Sequence, residues 1–143
     1  MAYWLLKSEP NVFSFEDMQA KTQKGETEEW DGVRNYAARN FMRAMQIGDE
    51  AFFYHSNVGK EIVGIVRIAA LAHPDSTADL KDGKVVWECV DIEAVKPVPK
   101  PVTLATIKET ESLAEMALVK LSRLSVSPVT PKEWQIICKM AGL

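Results

Sequence analysis

"AFFYHSNVGKEIVGIVRIAALA", Ala51 to Ala72, is the stretch on which the fold turns. Two apolar runs, 51–57 and 61–72, are joined by "SNVGK", a glycine-containing connection of hairpin length. The second run is apolar at odd and even positions alike. A half-exposed strand alternates apolar with polar, so a run apolar on both faces predicts a strand inside a barrel rather than on an open edge.

Working outward, "AYWLL" (2–6) reads as a short strand and "VVWECVDIEAV" (85–95) as another, while "RLSVSPV" (123–129) is extended. "KPVPKPVTL" (96–104) carries three prolines, which confine it to an edge strand or an extended link. "HPDSTADLKDGK" (73–84) is turn-rich. Ser14 with Asp17 resembles a capping box opening a short helix to about Lys21. Asp31-Gly32 turns the chain into a helix over about Arg34–Met45, with Val33, Ala37, Phe41 and Met45 as its apolar stripe. Further helices are predicted over Thr106–Leu121 and from Thr130-Pro131 through Met140, with Gly142 as a C-terminal cap. The order predicts an α+β fold in one domain, residues 1–143: a small, mostly antiparallel, closed or nearly closed sheet with helices around it.

A chain of 143 residues, 47% hydrophobic, is long enough to bury a core. No apolar run approaches the roughly 18 residues of a membrane span. "MAYWLLKSEP" lacks a basic leader region, so an intracellular protein is expected. Cys89 and Cys138 lie among apolar neighbours without metal or redox spacing and read as reduced, buried thiols. A net charge of −3 argues against non-specific polyanion binding. Yet 32–48 holds only Arg34, Arg39 and Arg43, and 116–132 only Lys120, Arg123 and Lys132, so these windows carry +6 and the remainder −9. Two solvated helix faces explain that on composition alone; a local basic site forms only if the windows meet.

The chain has no G-x-S-x-G elbow, phosphate loop, dinucleotide signature or H-E-x-x-H. His73 precedes a Pro74-Asp75 turn and reads as a surface residue, while His55 closes an apolar strand. A Ser8–His55–Asp nucleophile set is conceivable, but no spacing demands it. Paired acids such as Glu28/Glu29 sit in polar stretches where nothing raises a pKa toward neutrality. What accumulates instead is polar motifs at strand ends: "KSEP", "WDGVRN", "HSN" and "RLSVSP". Trp30 would supply a flat face, Ser8, Asn35, Ser56, Asn57 and Ser125 hydrogen-bonding edges, and Arg34 and Arg123 charge-assisted contacts. That set suits a nucleobase. Taken singly, Trp30 reads more readily as a core anchor, and Trp4, Trp87 and Trp134 read as core.

"YWLLKSEP", "WDGVRNYAARNFMRAMQIGD", "FFYHSN" and "RLSVSPVT", in this order, resemble the EVE domain family over residues 2 to about 140. The resemblance implies a PUA-like barrel related to the YTH and ASCH domains, and a module that binds a modified, methylated base of DNA or RNA. Carried over, Trp30 resembles the cage tryptophan, and Lys7-Ser8 the Lys-Ser of the YTH pattern. His55, Ser56 and Asn57 would form the opposite wall, and Arg34, Asn35 and Arg123 the rim. Tyr36 or Tyr54 would stand in for the second and third cage tryptophans, which this sequence lacks. The implied protein is a cytoplasmic, bacterial monomer with no enzymatic role, cofactor, metal or membrane partner. The competing readings are a small hydrolase or nuclease-associated enzyme using the same pocket, and an interaction protein whose barrel is filled.

Overall fold

The computed structural model describes residues 1–143. The first half runs β1 (Tyr3–Ser8), α1 (Phe15–Gln23), β2 (Glu28–Glu29), α2 (Tyr36–Ala44) and β3 (Glu50–His55). The second runs β4 (Glu61–Pro74), β5 (Glu88–Thr103), α3 (Leu104–Glu109), α4 (Ala117–Lys120), β6 (Val126–Val129) and α5 (Pro131–Met140).

The 51–72 stretch is the expected hairpin, Phe52 facing Ile65 and Ala51 facing Val66 across β3 and β4. The sheet around it has the order β2-β5-β4-β3-β1-β6. The expected barrel is not there: the sheet is open, with β2 at one edge and β6 at the other. It is mostly antiparallel as expected, the exception being β1 alongside β3, with Leu5 opposite Phe52. That parallel pairing needs a long crossover, and residues 9–49, containing α1, β2 and α2, supply it.

Both faces of the central strands are apolar because both are covered. Leu6, Phe53, Val66 and Ile68 face one cluster with Phe15 and Met18 of α1 and Ala38 and Met42 of α2. Leu5, Phe52, Ile62 and Ile65 face a second with Ile107 of α3, Leu118 of α4, and Trp134 and Ile137 of α5. An open sheet between two helical layers gives its inner strands the same pattern as a closed barrel, which is why the pattern misled. The layers touch the sheet closely: a Cβ on Gly64 of β4 would overlap the Phe15 ring.

Prolines 97, 99 and 101 lie inside the sixteen-residue β5. β2 reaches only Asp91 and Ile92, so no strand pairs with the outer edge of β5 along its proline-rich half, where a missing N–H leaves no ladder bond unmade. β4 extends through His73 and Pro74, so the turn-rich excursion starts at Asp75. A capping box of Ser14 with Asp17 opens α1 as anticipated, and α5 starts after Thr130 as anticipated, through a second box with Glu133. α2 starts later than expected, because the Asn35 side chain accepts from the Ala38 N–H and fixes the N-terminus there. Of the expected stripe, Val33 and Met45 are buried and Phe41 is half-buried, but Ala37 is exposed, and Ala38 and Met42 are the buried positions inside the helix. The long helix expected over 106–121 is broken into α3, a 3₁₀ turn at Glu111–Leu113 and α4, with Thr110 extended between the first two.

Candidate functional site

β1 ends at Ser8 and β2 at Glu29, and both ends open onto one face of the first apolar cluster. The chain leaves β2 through Trp30, whose N–H donates to the Val90 carbonyl at 2.8 Å. Gly32 turns it with φ 79°, a left-handed conformation that costs glycine little. Between these segments lies a cavity of about 430 Å³. Lys7, Ser8, Trp30, Arg34 and Ser125 line it, all five from the sequence-derived set.

Trp30 is more buried than a cage wall was expected to be, at 8% exposure. Its ring meets Phe53 edge-on at 5.7 Å and Phe13 at 6.5 Å, and still borders the cavity. It is core anchor and pocket wall at once. Lys7 is half-buried and donates to the Ser122 carbonyl at 2.7 Å, tying the 120–124 loop to the cavity; burial lowers its pKa.

Arg34 is held by Asp75, a buried side chain from the far end of β4. One Asp75 oxygen accepts from the Gly32 N–H at 2.9 Å and from Arg34 Nη1 at 3.0 Å. The other accepts from the Thr77 N–H and hydroxyl at 2.8 and 2.6 Å. Burial alone would raise the Asp75 pKa, but the bonds from Thr77, Gly32 and Arg34 outweigh it and hold it down to about 2. Asp75 thus fixes both the turn and the rim arginine.

The remaining lining was missed by sequence. Val12 and Phe13 add apolar surface, and Glu9, Glu28, Glu29 and Asp31 make the wall more acidic than basic. Three of the four acids are engaged: Glu9 accepts from Asn57, Glu28 pairs with Lys21 at 2.6 Å, and Glu29 accepts from the Ser76 N–H at 2.7 Å. The Asp31 side chain has no such partner. Burial, then the charges of Asp75 and Glu29, raise its pKa; one oxygen of each of these acids lies within 4.8 Å of the others. The signal for Glu28 and Glu29 was weak, since only two residues pair with β5 to bring them in.

Six members of the sequence-derived set lie elsewhere. Asn35 caps α2. Tyr54 is buried on the opposite face of the sheet. His55 accepts through Nε2 from the Phe15 N–H at 3.1 Å, its pKa lowered by burial, and so caps α1. Ser8 donates to the Phe13 carbonyl, so Ser8 and His55 are not paired as nucleophile and base. The Ser56 N–H donates to the Ser8 carbonyl, and Asn57 turns the hairpin with φ 65°. Arg123 borders a separate hollow of about 370 Å³ with Lys120 to Leu124. The two basic windows meet where α2 packs on β6, but three of their six cations are paired with acids: Arg34 with Asp75, Arg43 with Glu88 and Lys120 with Glu115. Trp4 and Trp134 are core as expected, but Trp87 is half-buried at the surface.

No helix is long and apolar enough to cross a membrane. The EVE domain family model matches residues 2–140. Thymocyte nuclear protein 1 from Homo sapiens is 36% identical over 167 aligned residues, covering 97% of this chain and 73% of that protein. The crystal structure of human THYN1 in complex with 5-methylcytosine-containing DNA superposes with a TM-score of 0.90 at 34% identity, over 100% of this chain and 99% of that one. The crystal structure of Atu2648 from Agrobacterium tumefaciens reaches 0.93 at 54% identity, over 100% of this chain and 94% of that one. An ASCH protein from Zymomonas mobilis shares the fold at 0.58 and 11% identity, over 96% of this chain and 94% of that one.

Proposed function

Because the chain belongs to the EVE domain family, we propose that its cavity captures one modified, methylated base of a DNA or RNA strand, with Trp30 as the apolar wall. The observation that carries this is the cavity itself: about 430 Å³, bordered by an indole and an uncommitted carboxylate, with one arginine fixed at the rim. Asp31 is the acceptor for an exocyclic amine, the edge that cytosine and adenine present and thymine lacks. Arg34 and Lys7 are the groups for the adjoining phosphate, and the acids keep that phosphate at the rim. The human relative crystallised with 5-methylcytosine DNA supports the choice of ligand class. The protein acts in this reading as one cytoplasmic module without a catalytic step.

A buried methyl contributes on the order of 0.8 kcal/mol, so discrimination from that group alone is only about fourfold. The test is an affinity panel of short single strands carrying cytosine, 5-methylcytosine, adenine or N6-methyladenine at the centre. Wild type is expected to prefer one methylated strand over its unmodified partner, and Trp30→Phe to lose the preference. Equal affinity for every pair refutes the proposal for these modifications.

A further inference from the structure

Outside the cavity, on the far side of Arg34, lies an aromatic pair that the pocket does not use. Tyr36, in the first turn of α2, stacks on Trp87 with centroids 4.9 Å apart and planes at 29°. Tyr36 is 56% exposed. Two guanidinium groups flank the pair. Arg39 lies 4.9 Å from the Tyr36 ring and 5.9 Å from Trp87, and Arg34 lies 5.7 Å from Trp87. Arg39 is anchored by Asn40 and the Val86 carbonyl, so the stack is held in place without a ligand. Arg34 is the link: it borders the cavity and touches the stack.

We propose that Tyr36 on Trp87 is a second subsite, a stacking platform for the nucleotide next to the captured base. It rests on the reading of the cavity as a base pocket only for the identity of that neighbour. An exposed π-face beside cationic groups suits an unpaired nucleotide, because every base has a π-face and its phosphate is an anion. The platform therefore adds affinity without regard to modification, while the cavity adds the preference.

The experiment measures wild type, Tyr36→Leu, Tyr36→Phe and Trp30→Phe against 5-methylcytidine and against two short single strands, one with a central 5-methylcytosine and one with cytosine. Leucine keeps an apolar cover over Trp87 but removes the ring. Tyr36→Leu is expected to weaken both strands by the same factor, roughly 5- to 150-fold for one lost stack, to leave the nucleoside unaffected, and to be rescued by Tyr36→Phe. The proposal is overturned if Tyr36→Leu binds both strands as wild type does, if it loses the nucleoside equally, or if wild type binds neither strand. A wild type that binds both strands alike, with both weakened by Tyr36→Leu, supports the platform and removes the modified-base reading.

Discussion

Asp75→Asn tests the electrostatics that shape the site. Asp75 does not border the cavity, yet its two oxygens accept from the Gly32 N–H and Arg34 on one side and from the Thr77 N–H and hydroxyl on the other. Asparagine keeps one acceptor and turns an NH₂ group toward two donors on the other side, so one pair must break. The carboxyl sits at about 2 against an ordinary 3.8. A depressed acid adds stability that is fully present above its unfolded pKa and is lost as pH falls through the folded value. At 1.36 kcal/mol per unit, that is about 2 kcal/mol at neutral pH. The orphaned donors add to it, so the expected loss is about 2–4 kcal/mol. Denaturant unfolding at pH 7 measures the loss, and repeating it between pH 4 and pH 2 should show wild type converging on the variant. A variant as stable as wild type at pH 7, with the same slope below pH 4, refutes the assignment.

Trp30→Ala should cost about 3–5 kcal/mol in thermal or denaturant unfolding, since the indole packs on Phe53 and Phe13 as well as bordering the cavity; for that reason Trp30→Phe is the variant for binding assays. Asp31→Asn should weaken an amine-bearing base by about 10- to 100-fold, the loss of a hydrogen bond to a charged acceptor, while leaving a thymine strand unchanged in the same titration. With its pKa raised by burial and by Asp75 and Glu29, Asp31 should protonate at a pH above the ordinary 3.8, and wild-type binding should fall with it on acidification. His73 is raised by its bond to Asp91 at 2.8 Å. Its contribution is present below the ordinary 6.5 and lost as pH rises through the raised value; at this half-buried, solvent-screened pair it should be under about 1 kcal/mol, and His73→Asn should remove that slope from unfolding curves.

The hairpin, the capping boxes and the mixed α+β class were legible because each rests on local chemistry: Ser14 with Asp17, Thr130 with Glu133, and the apolar runs beside "SNVGK". The closure of the sheet was not. A strand covered on both faces carries the same residues whether its cover is the far side of a barrel or a second helical layer, and only the pairing order distinguishes them. The stripe of α2 was misread at Ala37 alone: Val33 and Met45 are buried and Phe41 is half-buried, while inside the helix the buried positions are Ala38 and Met42. At the cavity, Ser8, Trp30, Arg34 and Ser125 could be anticipated from polar motifs at strand ends, and Lys7 from the family resemblance. His55, Ser56 and Asn57 belong to a similar motif, yet here they close a helix start and a turn. Asp31 and Asp75 escaped notice because their importance lies in a contact across more than forty residues, between the Gly32 turn and the end of β4.

The most direct measurement follows the indole N–H resonances of the four tryptophans while a single strand bearing one 5-methylcytosine is titrated in. Trp30 should shift to saturation while Trp4 and Trp134 stay in place, and the unmodified strand should need several-fold more ligand for the same shift. Saturable binding with the Trp30 signal unmoved would place the base elsewhere and contradict the account.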